Sequence, residues 1–309
     1  MAQMLDRRGF LCALGATAAA ARLAAAQGRG GGAPITSVRL ANNLLLVTGA
    51  GANVVVLQGP EGLVLIDGGL PGRSADLLAF IAAETQRAPV RVLFNTQWHS
   101  DHTGANEALG LAGARIVAHV NTKRWLSSRV TRESQNRVYP PRPAHALPVE
   151  TIARRGTLEW GRERIEYGPL PPAHTNGDIY LFLPAANVLV ASDTLAVGRY
   201  PTMDYSTGGW INGVIEACEL LAGIGDASTR VVPGLGPVQP RSALETQREM
   251  LATVRDRVVA MIRQGRSLKE VIAGAPTREF DAQWGDPAAF LETTYIGLVR
   301  HTRELGGIL

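Results

Sequence analysis

The stretch from Val90 to Gly104 restricts this chain more than any other. Val90 to Phe94 is an apolar run that reads as a buried strand. It passes without a spacer into Asn95-Thr96-Gln97-Trp98-His99-Ser100-Asp101-His102-Thr103-Gly104. Gln97, His99, Asp101 and His102 place four donor side chains within a few residues. Alternate residues at a strand end point the same way. A tight turn therefore carries Gln97 and His99 to one point, and Asp101 and His102 to a neighbouring one. A divalent ion such as zinc needs several N, O or S ligands at about 2 Å. Two further turn clusters that follow strands can complete such a set: Ala173-His174-Thr175-Asn176-Gly177-Asp178 and Ala191-Ser192-Asp193-Thr194. Three strand ends meeting at one sheet edge is the arrangement a dinuclear site requires.

The rest of the chain supplies those strands. Leu44 to Val47, Asn53 to Leu57 and Leu63 to Ile66 are short apolar runs with Gly and Pro between them, and predict an antiparallel meander. Ser74 to Glu84 predicts a helix with Leu77, Leu78 and Ile81 on one side. Glu107 to Leu111 begins another helix, and Ile116 to His119 predicts a strand. Residues 121–156 are rich in Arg and Pro, and read as a helix followed by an extended loop. Strand patterns return at Leu158 to Trp160, Arg164 to Tyr167, Ile179 to Leu183, Val188 to Ala191 and Val231 to Val232. Gly209 to Leu221 and most of the chain after Leu244 read as helical. Two strand-rich halves with helices predict an α/β architecture of two sheets packed between helical layers.

Composition excludes more than it selects. Hydrophobic residues make up 46% and charged residues 19% of the 309, which is globular rather than disordered. The net charge is only +4, and half of it comes from Arg7, Arg8 and Arg22 against Asp6 at the front. No basic helix with interleaved aromatics and no zinc-finger spacing is present, so nucleic acid is not an expected partner. Of the two cysteines, Cys12 lies in the front segment, and Cys218 sits on an apolar stripe at helical spacing. A lone mature cysteine cannot form an internal disulfide, and Cys218 reads as a buried core thiol.

These stations resemble the metallo-β-lactamase superfamily, which carries His-x-His-x-Asp-His, a distant His, an Asp, and a last His in a Gly-His-Gly turn. Here Gln97-x-His99-x-Asp101-His102, His174, Asp193 and Gly234-Leu235-Gly236 follow in the same order. Asp67-Gly68-Gly69 stands where the family has an Asp at the end of its first meander. The resemblance implies a four-layer αββα sandwich over residues 36–309. It implies a first metal site of Gln97, His99, His174 and bridging Asp193, and a second of Asp101, His102 and Asp193. Gln97 replaces the first His, as in rare lactamase variants, and an amide oxygen is a weaker donor than imidazole. Leu235 replaces the last His and cannot bind metal, so the second site is expected to be weak. The expected cofactor is Zn2+, one ion or two. The implied activity is hydrolysis of a small-molecule ester, thioester, lactam or phosphoester by a metal-activated water, with Asp101, where its own metal site is empty, as the group that orients or deprotonates that water. The competing reading is an inactive relative that binds a small molecule or partner, motivated by Gln97 and Leu235 together.

Other residues carry plainer expectations. Asp67 is expected to support the motif rather than bind metal. His119 reads as packed or capping, His145 and His301 as surface residues. Trp98 either lines a pocket or packs. The basic residues of 121–156 read as a solvated face, with attraction of an anionic substrate as the alternative. Gly198-Arg199-Tyr200-Pro201, ahead of Asp204 to Gly209, resembles a stretch in related exported family members, which implies that Arg199 and Tyr200 reach the pocket. Residues 1–26 resemble a twin-arginine export signal: Arg7-Arg8, an Ala/Leu-rich run, then Ala24-Ala25-Ala26. That run is too short and Ala/Gly-rich for a stable membrane span. Residues 27–35 read as a Gly-rich linker, and a periplasmic location is expected.

Overall fold

The computed structural model describes residues 32–132 and 137–304, with side chains of 302–304 left aside. The expected export signal at 1–26 and the start of the linker lie outside the described residues.

Alternation along the strands decides how the layers stack. Strands β1 (Thr36–Ala41), β2 (Leu44–Thr48), β3 (Val54–Gly59), β4 (Gly62–Ile66), β5 (Val90–Asn95), β6 (Arg115–His119) and β9 (Glu150–Ile152) form one sheet in that order. The first four pair antiparallel, and β4, β5, β6 and β9 run parallel. Strands β10 (Gly156–Trp160), β11 (Glu163–Pro169), β12 (Ile179–Leu183), β13 (Val188–Ser192), β14 (Arg230–Pro233) and β15 (Gln239–Pro240) form the second sheet, where only β13 and β14 are parallel. On β2, Leu44 and Leu46 face the second sheet, where they meet residues such as Leu181, Leu183 and Val190. Leu45 and Val47 point the other way, toward Leu77 and Ile81. Those two belong to helix α1 (Ser74–Glu84). A strand whose two faces are both covered carries a continuous apolar run, which is why the strands are so hydrophobic.

The second sheet is covered in the same way. Phe182, Leu189 and Val231 leave its outer face and pack on Ile211, Val214 and Leu221. Those residues come from the helix Ile211–Ala222, and Met250, Leu251 and Val254 from the helix Ser242–Arg263 complete the layer. Three separate apolar clusters between four layers make the αββα sandwich. Burial of each large aliphatic side chain contributes about 1.5–3 kcal/mol, so these interfaces dominate the fold's stability.

Residues 121–156 differ from expectation. The helix is present at Val120–Leu126, but the following segment holds short strands β7 (Val130–Arg132) and β8 (Arg137–Tyr139), which pair antiparallel. Further on, β9 joins the first sheet beside β6. Strands of three residues are too short for a period to show, and β9 is held by its neighbour rather than by its own pattern. Among the described residues no helix is long and apolar enough to cross a membrane.

Cys218 is fully buried, and its Sγ accepts a hydrogen bond from Gln247 Nε2 at 3.3 Å. Burial pushes its thiol up to about 12. Native protein at pH 8 should leave Cys218 unalkylated by iodoacetamide, and denaturant should expose it; peptide mapping by mass spectrometry reads both. Fast labelling under native conditions would contradict the packing described.

Candidate metal centre

The site forms where strand ends of both sheets meet. Asp67 follows β4, and Gln97, His99, Asp101 and His102 follow β5. His174 lies in the β11–β12 loop, and Asp193 follows β13. Asp67 and Ser192 both take the left-handed region, with φ of 67° and 52°. Side chains rarely adopt that conformation, so its presence at two neighbouring strand ends marks where the chain is bent to serve the site.

A buried network fixes the motif loop. Asp67 accepts from Thr96 N–H at 2.8 Å, from the Thr96 hydroxyl at 2.7 Å and from His102 Nδ1 at 2.9 Å. Because Thr96 donates to Asp67, Ser192 Oγ donates to Thr96 across 2.6 Å. Asn95 and Asn106 exchange amide hydrogen bonds of 2.9 and 2.8 Å behind the loop. A Cβ at Gly104 would lie 2.2 Å from the backbone carbon of Leu70, so only glycine lets the two loops approach this closely.

Hydrogen bonds also fix which nitrogen of each histidine faces inward. His174 Nδ1 meets the carbonyl of Thr202 at 2.6 Å, and a carbonyl only accepts. The proton therefore sits on Nδ1, and Nε2 offers a lone pair. His99 Nε2 meets Asp204 Oδ2 at 2.8 Å, which leaves its Nδ1 as the lone pair. Those two acceptor nitrogens face each other at 2.9 Å, with Asp193 Oδ2 at 3.5 Å from His174 Nε2. Two buried lone pairs and a carboxylate cannot satisfy one another without a positive charge between them. Tetrahedral zinc with bonds near 2 Å holds its ligands about 3.3 Å apart, close to these spacings. His99, His174 and Asp193 thus fit a cation, and so do Asp101, His102 and Asp193; within each group the ligand atoms lie within 4.8 Å of one another.

Electrostatics agree with that fit at His99 and Asp193. Burial pushes the His99 imidazole down to about 4 despite the Asp204 hydrogen bond, so it is neutral at pH 7, as a ligand must be. Burial alone would raise Asp193, but His102 and His174 beside it hold its carboxyl far below the usual range. For His102 burial disfavours charge, yet Asp67, Asp193 and Asp101 together raise it well above the ordinary value. In its protonated form His102 donates to Asp67 on one side and to Asp193, 3.0 Å away, on the other.

Gln97 joins the cluster in a different role from the one expected. Its Oε1 accepts the backbone N–H of His99 at 2.6 Å, which only donates, so the amide cannot be turned round. Nε2 therefore donates to Asp193 Oδ2 at 3.1 Å. The amide oxygen is occupied by its own loop, and Gln97 stands as a donor to the bridging carboxylate rather than as an oxygen ligand. Leu235 lies on the cavity wall beside Asp193, where a Cβ at Gly234 would reach Asp193 Oδ1.

Asp204 and Arg132 are residues that sequence reasoning missed. Asp204 is buried, accepts from His99 and lies 3.4 Å from Arg132 Nε. Its backbone N–H donates to His174 O at 2.8 Å, so one residue orients both histidines. Its hydrogen-bond partners and Arg132 keep its carboxyl well below the ordinary range, although burial opposes this. Nothing local in the sequence around Asp204 ties it to a histidine so far away.

The remaining expectations divide. Trp98 packs: it is buried against Leu126 and Val130 and donates to Thr207. His119 caps a helix by accepting the N–H of Asn121. His145 is partly exposed beside Glu107. His301 is not a plain surface residue, since it stacks on Trp210 at 3.8 Å between ring centroids. Arg199 lines the cavity over the cluster, whereas Tyr200 does not. Tyr200 is buried, with its ring stacked on Phe290 and its hydroxyl donating to Asp281.

Two outcomes test this geometry. Asp204→Asn should weaken zinc binding about 10–100-fold by loosening the tautomer and aim of His99, measured by competition with a chromogenic chelator. Leu235→His should raise the zinc bound per chain, read by elemental analysis; unchanged stoichiometry would mean that the 234–236 turn does not reach the second group.

Comparison with known proteins follows the same lines. The family described as the Metallo-beta-lactamase superfamily matches residues 47–262. A metallo-beta-lactamase from Pontibacter korlensis superposes with a TM-score of 0.59 at 20% identity, covering 71% of this chain and 99% of its own. The stereoselective inverting sec-alkylsulfatase Pisa1 from Pseudomonas sp. gives 0.67 at 18% identity and covers 89% of this chain. This chain spans only 51% of the sulfatase's length. The DIM-1 metallo-beta-lactamase gives 0.58 at 16% identity, over 72% of this chain and 99% of its own. Likeness at such identities speaks for the fold, and the family match extends over most of the strands and turns that build the cluster. By both, the chain belongs to the metallo-beta-lactamase superfamily.

Proposed function

We propose that this protein is an exported, zinc-dependent hydrolase that turns a metal-activated water on an ester, thioester, lactam or phosphoester bond of a small molecule. The observation that carries the reading is the pair of opposed acceptors, His99 Nδ1 and His174 Nε2, at 2.9 Å beside Asp193. When bound, zinc supplies Lewis acidity and makes a water acidic enough to ionise near pH 7.

The chain's own residues do the rest. Asp204 and the Thr202 carbonyl hold the two imidazoles in the one tautomer pair that offers both lone pairs inward. Asp193 joins both ligand groups and keeps its charge through Gln97 and the histidines around it. Asp101 is only half-buried, lines the cavity and lies 3.8 Å from His102. It is the carboxylate placed to orient the attacking water or accept its proton. Export rests on the resemblance of residues 1–26 to a twin-arginine signal.

A second reading, an inactive binding protein, is favoured by Gln97 and Leu235. Elemental analysis of purified protein separates the two. The hydrolase reading expects a zinc ion retained through dialysis, lost in His174→Ala, with turnover of at least one ester, thioester, lactam or phosphoester. Metal-free protein with no turnover of any of the four classes would leave the binding protein as the better account.

A further inference from the structure

The cavity over the cluster has a volume of about 410 Å3 and two chemically distinct walls. Among the described residues, the charged side chains lining it are Arg132, Arg137, Arg199, Asp101 and Asp193. Both aspartates belong to the candidate metal groups, and one divalent ion there would balance their charge. That leaves Arg137 and Arg199, beside an Arg132 that shares Asp204 with His99, as a surplus of positive charge facing the space where a substrate must lie.

Of these arginines only Arg132 is buried at the cluster, while Arg137 and Arg199 border the cavity with exposed side chains. Arg132 has only 9% of its side chain exposed and reaches the site through Asp204, the partner of His99. Burying a guanidinium is costly unless it is paired, and Asp204 already shares its charge with His99. Arg199 Nη2 lies 3.9 Å from Asp193 Oδ1, so this charge borders the bridging carboxylate. Arg137 stands on β8 with its guanidinium over the Tyr139 ring, 4.9 Å from its centroid. The planar guanidinium fork matches an oxyanion better than any other side chain.

The opposite character comes from Leu70 and Leu235. Both are large apolar side chains left well exposed, at 39% and 48%, and both line this cavity. Leu70 flanks Gly51, which also approaches Asp101, and Leu235 adjoins Asp193 through Gly234. The apolar wall thus sits on the Asp101 side, and the buried arginine on the His99 side.

We propose that Arg132, Arg137 and Arg199 form an anion-recognition subsite, so that the substrate is an organic oxyanion with an apolar group that rests on Leu70 and Leu235. This rests on the hydrolase reading for what happens to the substrate, but not for its binding. The same guanidinium chemistry takes a phosphate, a sulfate or a carboxylate.

The test is calorimetric titration of the purified protein with three anions that cannot be hydrolysed: phenylphosphonate, benzenesulfonate and benzoate. Benzyl alcohol is the neutral control, and zinc content is measured on the same sample. At least one anion should bind, and which one binds tightest tells the oxyanion apart. Arg137→Ala and Arg199→Ala, both exposed and safe for folding, should each weaken it about tenfold. Rising salt should weaken it further, since the arginine wall is open to solvent. Arg162→Ala, on the β10–β11 turn, should leave binding unchanged. The proposal is overturned if no anion binds better than benzyl alcohol, or if binding is untouched by both arginine variants. Zinc content keeps the two ideas separate: zinc-free protein that still loses anion binding with the arginines upholds the subsite and counts against the hydrolase. Zinc-loaded protein that ignores all three anions does the reverse.

Discussion

Everything at the site hangs from one carboxylate that touches no substrate. Asp67 ends β4, ties down the turn after β5 through Thr96, and through the same hydroxyl reaches Ser192 at the end of β13. Two sheets whose inner faces pack through apolar side chains are also joined here by a buried polar chain. Such a chain is costly unless every member is satisfied, and here each has its partner. Its effect is to set the distance between the loop that carries His99 and His102 and the strand end that carries Asp193. Apolar packing alone tolerates small slips between sheets; a set of hydrogen bonds below 3 Å does not.

The layers were legible because burial on both faces writes itself into sequence. Leu44 to Val47 and Ile179 to Leu183 are apolar at every position, and both are strands covered on both sides. The helix at Ser74–Glu84 begins and ends where its pattern does. The hairpin of β7 and β8 was not legible, since three-residue strands carry no period. At the site, the residue types and their order gave His99, Asp101, His102, His174 and Asp193 together, and these are the residues the structure converges. Asp204 and Arg132 escaped because their meaning comes from contacts across a long stretch of chain. The tautomers of His99 and His174 were also out of reach, because they depend on what lies behind each ring.

The two departures from the family pattern have different physical consequences. Leu235 removes a donor and adds apolar surface to the cavity wall, so it changes both what can be held and what can be welcomed. Gln97 keeps polarity but reverses its sense, presenting hydrogens to Asp193 where an imidazole would present a lone pair. A carboxylate that accepts from Gln97 and His102 has less of its charge to share with a cation. The Leu235 change falls on the second group, whereas the Gln97 change takes an expected oxygen donor from the first. The first group keeps the inward nitrogens of His99 and His174 and the shared oxygen, which is enough for a single ion with room for water.

Asp204 divides its charge between His99 and Arg132. Whatever draws Arg132 toward the cavity loosens its grip on that carboxylate, and the imidazole receives a stronger acceptor in return. Electron density then shifts toward Nδ1, the atom turned to the cluster. A negatively charged guest in the cavity would thereby act on the donor strength of the first histidine through this one side chain.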